Sequence, residues 1–228
     1  MTDDLIYGKM AVHNILNRDK EADFTIAVIR HSERPSFNKI PTEKWADVTI
    51  TDRGIEAAKK FGKALGNQAV PPNSLKVYYT GQRRCADTAA AIATGIGQSA
   101  GQEERGLNFI SPIADAAKYD DMLKNGRWKE LLDGWLSSDN SYDFMTPVSL
   151  YTREFFRKLT SLGYSHGSNV IVIVAHDLQI FPLVSKIFGK NIMNIDYLEG
   201  PVISKKKDDF EIGFGNEKRS VSTLDIIR

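Results

Sequence analysis

The sequence predicts an α/β fold: three layers, α/β/α, around a mostly parallel central sheet, with a helical insertion and a C-terminal antiparallel edge. Three observations predict it. Phe24 to Arg30, Leu75 to Thr80 and Val170 to Ala175 are apolar, β-branched runs of strand length. Each run ends in a polar turn ahead of a further element, and parallel pairing needs helical crossovers between strands. From Leu198 on, Gly200-Pro201, Lys205 to Asp209 and Gly213 to Asn216 break the chain into short alternating pieces, the pattern of an antiparallel meander.

Each element has a local reason. Leu5, Met10, Val12, Ile15 and Leu16 form a loose helical stripe, read as packing, and polar residues 17–23 separate it from the first strand. The polar loop from Ser32 to Asp47, with Pro35, Pro41 and Trp45, is longer than a structural link requires. Thr51 reads as an N-cap, with Ile55, Ala58, Phe61, Gly62 and Leu65 on one helix face and an end near Gly66-Asn67. After the second strand, Ala86, Ala89, Ala90 and Ile92 mark a helix that should stop near Gly95. Trp128, Leu131, Leu132 and Trp135 stand at helical spacing between Gly126, Gly134 and Pro147, so residues 111–149 read as a helical insertion or cap. A helix with Phe155, Phe156, Leu159 and Leu162 inward should end at Gly163, before the third strand. The run Lys205 to Lys207 reads as a solvated turn.

The 228 residues, 42% hydrophobic, can bury a large core, and one domain over 1–228 is expected. A formal net charge of +1 provides no global field for nucleic acid or an anionic membrane. No run reaches the roughly 20 apolar residues of a membrane span. The start carries no signal-like apolar segment, and with one cysteine, Cys85, the expectation is a cytoplasmic protein without disulfides or a multi-cysteine metal site. Cys85 itself reads as a small packed residue.

Charge at the strand tips carries the chemistry. The first strand delivers Arg30, His31 and Arg34, the second Arg83 and Arg84, the third His176 and Asp177. Ligands of open α/β sheets bind at the carboxyl ends of strands, where such groups converge. Guanidinium forks suit phosphate oxygens, and an imidazole nitrogen can attack phosphorus.

Four stretches make the chain resemble the histidine phosphatase superfamily, the phosphoglycerate mutase-like or histidine acid phosphatase-like proteins. Arg30-His31-Ser32-Glu33-Arg34 is similar to the family's Arg-His-Gly signature, and residues 50–58 to its Leu-Thr-x-x-Gly helix start. Thr80 to Ala89 resembles its Ser-x-x-x-Arg-x-x-x-Thr-Ala segment, which places the pocket arginine at Arg84, and Ala175-His176-Asp177 resembles the acid phosphatase His-Asp motif. The resemblance implies a phosphomonoester hydrolase with His31 as nucleophile, forming a phosphohistidine. Arg30, Arg34, Arg84 and His176 would bind phosphate, and Asp177 would serve as proton donor. It implies no metal and no cofactor, a small phosphorylated substrate, and inorganic phosphate as product.

Ser32 replaces the family glycine and, with Asn38 in the following loop, is a candidate substrate contact. Its hydroxyl either donates to the substrate or crowds it. In the mutase-type branch a middle-section glutamate is the acid; here that section offers Asp115, Asp120 and Asp121, and Asp115 is the alternative to Asp177. Two other functions stand beside hydrolysis: a phosphoglycerate mutase-type phosphotransferase, and a catalytically weakened phospho-ligand binding module. His13 and His166 lack arginine neighbours and read as surface or capping residues, and Glu33 either orients an arginine or faces water. Trp45, Arg127 and Trp128 are open both to packing or solvation and to contact with an organic group.

Overall fold

The computed structural model describes residues 4–37, 40–66, 74–98, 106–139, 141–166 and 170–222. Among the described residues, seven strands form one sheet in the order β3-β2-β4-β1-β5-β6-β7. They are β1 (Phe24–Arg30), β2 (Leu75–Thr80), β3 (Gly106–Leu107), β4 (Val170–Ala175), β5 (Val202–Lys206), β6 (Asp209–Phe214) and β7 (Glu217–Ser222). The first four are parallel and the last three antiparallel, the mixed α/β architecture that the patterning predicts.

Every residue of β4, and all of β1 except Arg30, is buried, because helices cover both faces. Alternate residues feed two cores. Ala27, Ile29, Val172 and Val174 pack against α1 (Lys9–Leu16), α2 (Asp52–Gly66) and α3 (Arg83–Ile96). Ile26, Val28, Ile171 and Ile173 pack against α4 (Ala116–Lys124), α5 (Trp128–Ser137), α6 (Val148–His166) and α7 (Asp177–Phe188). Close backbone approach demands glycine beside β1: a Cβ on Gly200 would meet the Val28 carbonyl oxygen at 1.9 Å.

Several boundaries differ from the expected ones for packing reasons. Gly95 and Gly163 lie inside helices, each against a close neighbour: a Cβ would meet the Lys59 carbonyl oxygen at 2.1 Å from Gly95, and the Phe24 ring at 2.4 Å from Gly163. The stop of α3 is Gly97, in the left-handed conformation at φ 86°. Gly134 sits within α5 beneath Tyr142, and does not bound it. Residues Thr42–Asp47 form a 3₁₀ helix within the long loop. The lysine run is no simple turn, since Lys205 is a buried strand residue with its ammonium 4.6 Å from the Phe210 ring centre. No described helix is long and apolar enough to cross a membrane.

Candidate active site

Strand register builds the site. Arg30 at the end of β1 pairs with Ala175 at the end of β4, and Tyr79 of β2 pairs with Val174. His31, His176 and Thr80 therefore leave three adjacent strands at one level. The His31 amide donates to the Ala175 carbonyl at 2.9 Å, and the two imidazole rings stand 5.3 Å apart, edge to face. Helices α3 and α7 begin immediately beyond, so their N-termini turn partial positive charge toward the same place.

His31 is 2% exposed, and its Nδ1 is 2.8 Å from the Ser32 carbonyl oxygen. A carbonyl only accepts, so the proton belongs on Nδ1 and the lone pair on Nε2. Arg84 donates from Nε to that lone pair at 3.2 Å. Burial, then the His176 ring and the surrounding guanidiniums, holds the His31 pKa well below its ordinary value. His176 is lowered in the same way, first by burial and then by Arg84, Arg30 and Arg34. Both rings are neutral at pH 7.

Arg30 reaches the Ile195 carbonyl at 2.6 Å and Asp177 at 3.2 Å, and its guanidinium lies 4.6 Å from the Tyr197 ring centre. Arg84 is 8% exposed, and burial draws it down to about 10, which leaves it charged at neutral pH. The Nε atoms of Arg30 and Arg34 are buried with no hydrogen-bond partner among the described residues. Such donors suit an oxyanion. Arg83 pairs with Asp87 on the outside of α3.

His176 is held from three sides. It caps α7, its ring accepting from the Gln179 amide while the Gln179 side chain accepts from the His176 amide at 3.1 Å. The same Gln179 oxygen accepts from the Thr80 hydroxyl at 3.0 Å, and the Cys85 thiol lies 3.3 Å from His176 Nε2. Cys85 is buried, which pushes its thiol up to about 12 and keeps it protonated.

The other candidates separate. Ser32 is fully buried; its hydroxyl donates to the Gly54 carbonyl at 2.8 Å and its amide to the Thr88 hydroxyl at 3.0 Å. The hydroxyl is thus engaged inside the protein. A Cβ on Gly54 would lie 2.4 Å from the Glu33 carbonyl oxygen, so glycine lets the α2 N-terminus seat against the loop that follows His31. Glu33 pairs with an arginine, Arg53 at 3.2 Å, and accepts from the Tyr7 and Thr51 hydroxyls. Asp115 caps α4, accepting from the Ala117 and Lys118 amides. Asn38 lies outside the described residues. His13 is exposed on α1, while His166 meets the Tyr78 hydroxyl at 2.7 Å. Arg127 pairs with Glu130 on the surface. Among the described residues no group of three His, Cys, Asp or Glu side chains is arranged to hold a metal ion.

Sequence reading missed Phe37, Tyr197 and Gln179. Their only sequence signal is Phe37's position three residues after Arg34; Tyr197 and Gln179 reach the site by tertiary packing.

The family model for the histidine phosphatase superfamily, branch 1, matches residues 26–207. The chain belongs to the histidine phosphatase superfamily. Similar solved structures include phosphoglycerate mutase from Bacillus anthracis, at TM-score 0.61 and 16% identity, covering 92% of this chain and 98% of that one. Phosphoserine phosphatase from Entamoeba histolytica, solved with 3-phosphoglyceric acid, aligns at TM-score 0.53 and 17% identity over 79% of this chain and 90% of that one. No curated protein matches the sequence. At these identities the likeness establishes the histidine phosphatase fold, and the superfamily includes both phosphatases and mutases.

Proposed function

We propose that the protein is a phosphomonoester hydrolase that works through a phosphohistidine on His31. One observation carries the reading: the Nε2 lone pair of a buried, neutral His31, whose proton is fixed on Nδ1 by the Ser32 carbonyl, lies among guanidinium donors with Arg84 at 3.2 Å.

The reaction divides into two displacements. Nε2 attacks phosphorus, the bond from phosphorus to the ester oxygen breaks, and the leaving oxygen takes a proton from Asp177, which enters this step as the carboxylic acid and leaves it as the carboxylate. Water then attacks the phosphohistidine, Asp177 takes a proton from that water, and inorganic phosphate leaves as Nε2 regains its lone pair. Throughout, the Ser32 carbonyl keeps the imidazole in one tautomer. Arg30, Arg34, Arg84 and the neutral His176 bind the nonbridging oxygens and stabilise their charge in the transition state. Substrate must displace Arg84 Nε from His31 Nε2, which turns that donor onto a phosphoryl oxygen. The electrostatic work falls to side chains of this chain, and the expected partner is a small phosphorylated molecule.

The test is release of inorganic phosphate from p-nitrophenyl phosphate by the purified protein, with loss of release in His31→Ala. Isomerisation of 3-phosphoglycerate without phosphate release would make the protein a mutase. Binding of phosphate without turnover would make it a binding module.

A further inference from the structure

Charge at the site poses a problem that only part of the fold answers. Three guanidiniums, of Arg84, Arg30 and Arg34, act on the His176 imidazole, and like charges held together in a buried pocket repel. Arg30 has the Asp177 carboxylate at 3.2 Å. Among the described residues neither Arg34 nor Arg84 has a carboxylate within ion-pair distance. A carboxylate on either would compete with phosphate for the same N–H fork. An aromatic face would not, because it attracts the cation through the ring quadrupole and leaves the edge of the fork free.

The loop after β1 supplies such a face. The Arg34 guanidinium carbon lies 3.3 Å from the centre of the Phe37 ring, and the Arg84 guanidinium carbon 5.5 Å from the same ring. The opposite face of Phe37 stacks on Trp45, with centres 4.4 Å apart and planes within 9°. Trp45 is itself pinned, its indole N–H donating to the Ile40 carbonyl at 2.9 Å. Its own carbonyl accepts from Arg84 Nη1 at 2.8 Å. A tier of guanidinium, phenyl and indole thus links two arginines from different elements.

Resting on the phosphate-binding reading above, we propose that Phe37 is a positioning residue: its ring face, backed by Trp45, sets Arg34 and Arg84 in the phosphate cradle without neutralising them. Burial at the site lowers Arg34 from its ordinary value, and a ring cation contact offsets that penalty in the charged form. Phe37 acts through the arginines, so its removal acts on phosphate affinity.

The experiment uses the full chain with inorganic phosphate and p-nitrophenyl phosphate as probes. Phe37 is replaced by leucine, by tyrosine, and by pentafluorophenylalanine, which keeps the ring's shape and reverses its quadrupole. The expected result is a rise of about 2- to 30-fold in the phosphate dissociation constant and in KM for the leucine and fluorinated proteins, with a smaller change in kcat. Phe37→Tyr should restore wild-type affinity. A fluorinated protein that binds phosphate as tightly as wild type overturns the assignment, because packing alone would survive fluorination. That readout stands even if Phe37→Leu fails to fold. Wild-type protein that neither binds phosphate nor hydrolyses the ester overturns the phosphate reading instead, and the assignment with it.

Discussion

The Asp177 carboxylate lies 3.2 Å from the Arg30 guanidinium, at the junction where β4 hands over to α7. Its side chain is 26% exposed beside a buried imidazole pair, and the proposed hydrolysis assigns it the proton of the leaving oxygen.

Asp177→Asn tests that placement. An amide cannot deliver the proton, so kcat should fall about 100-fold or more for an alkyl phosphate. For p-nitrophenyl phosphate, whose leaving group needs no proton, the loss should be much smaller. Steady-state assays on the two substrates decide it, and equal losses would remove Asp177 from the role.

Asp115→Ala provides the contrast. This side chain caps α4, so its loss should lower stability by about 1 kcal/mol and leave kcat near wild type. Urea unfolding measures the first and phosphate release the second. A collapse of activity without loss of stability would return Asp115 to the list of acids.

Ser32→Ala addresses the departure from the family glycine. With its hydroxyl on the Gly54 carbonyl, the serine should matter to stability by about 1 to 2 kcal/mol and to KM by less than about twofold. A KM change of tenfold or more at unchanged stability would show that the hydroxyl serves the substrate.

Stability should fall on acidification because His31 and His176 have lowered values in the folded state. The unfolded chain takes up protons near the ordinary histidine value of about 6.5 while the folded rings stay neutral, so each proton favours unfolding. From about pH 6.5 downward, until the folded values are reached, the loss approaches about 1.4 kcal/mol per pH unit for each histidine. Denaturant midpoints between pH 7.5 and 5.5 should therefore drop, and drop less steeply in His31→Asn. Identical slopes in the two proteins would contradict the neutral buried ring.

Gly200→Ala should be the most damaging of these substitutions. Its Cβ would stand 1.9 Å from the Val28 carbonyl in the central strand, where backbone must shift to make room, so a loss of about 3 kcal/mol is expected. A thermal midpoint within a few degrees of wild type would argue against that contact.

The strands were legible because burial on both faces leaves a local trace: β1, β2 and β4 begin and end where their apolar runs do. Helix ends were less so. Gly95 and Gly163 look like stops in sequence, yet each is small because a neighbour presses on it from a distant part of the chain.

The site divides along the same line. The sequence by itself determined which charges arrive at the strand tips: Arg30-His31, Arg84 and His176-Asp177 each follow directly from a strand or open a helix. Only the tertiary structure decided what those groups do to one another. Strand register brings His31 against His176, the Gly54 carbonyl takes up the Ser32 hydroxyl, and helix capping engages Asp115. The aromatic faces under Arg30 and Arg34 come from loops with no periodic pattern. Periodicity records only whether a residue faces core or solvent, whereas a proton's position and a guanidinium's partner depend on atoms brought within about 3 Å from distant segments.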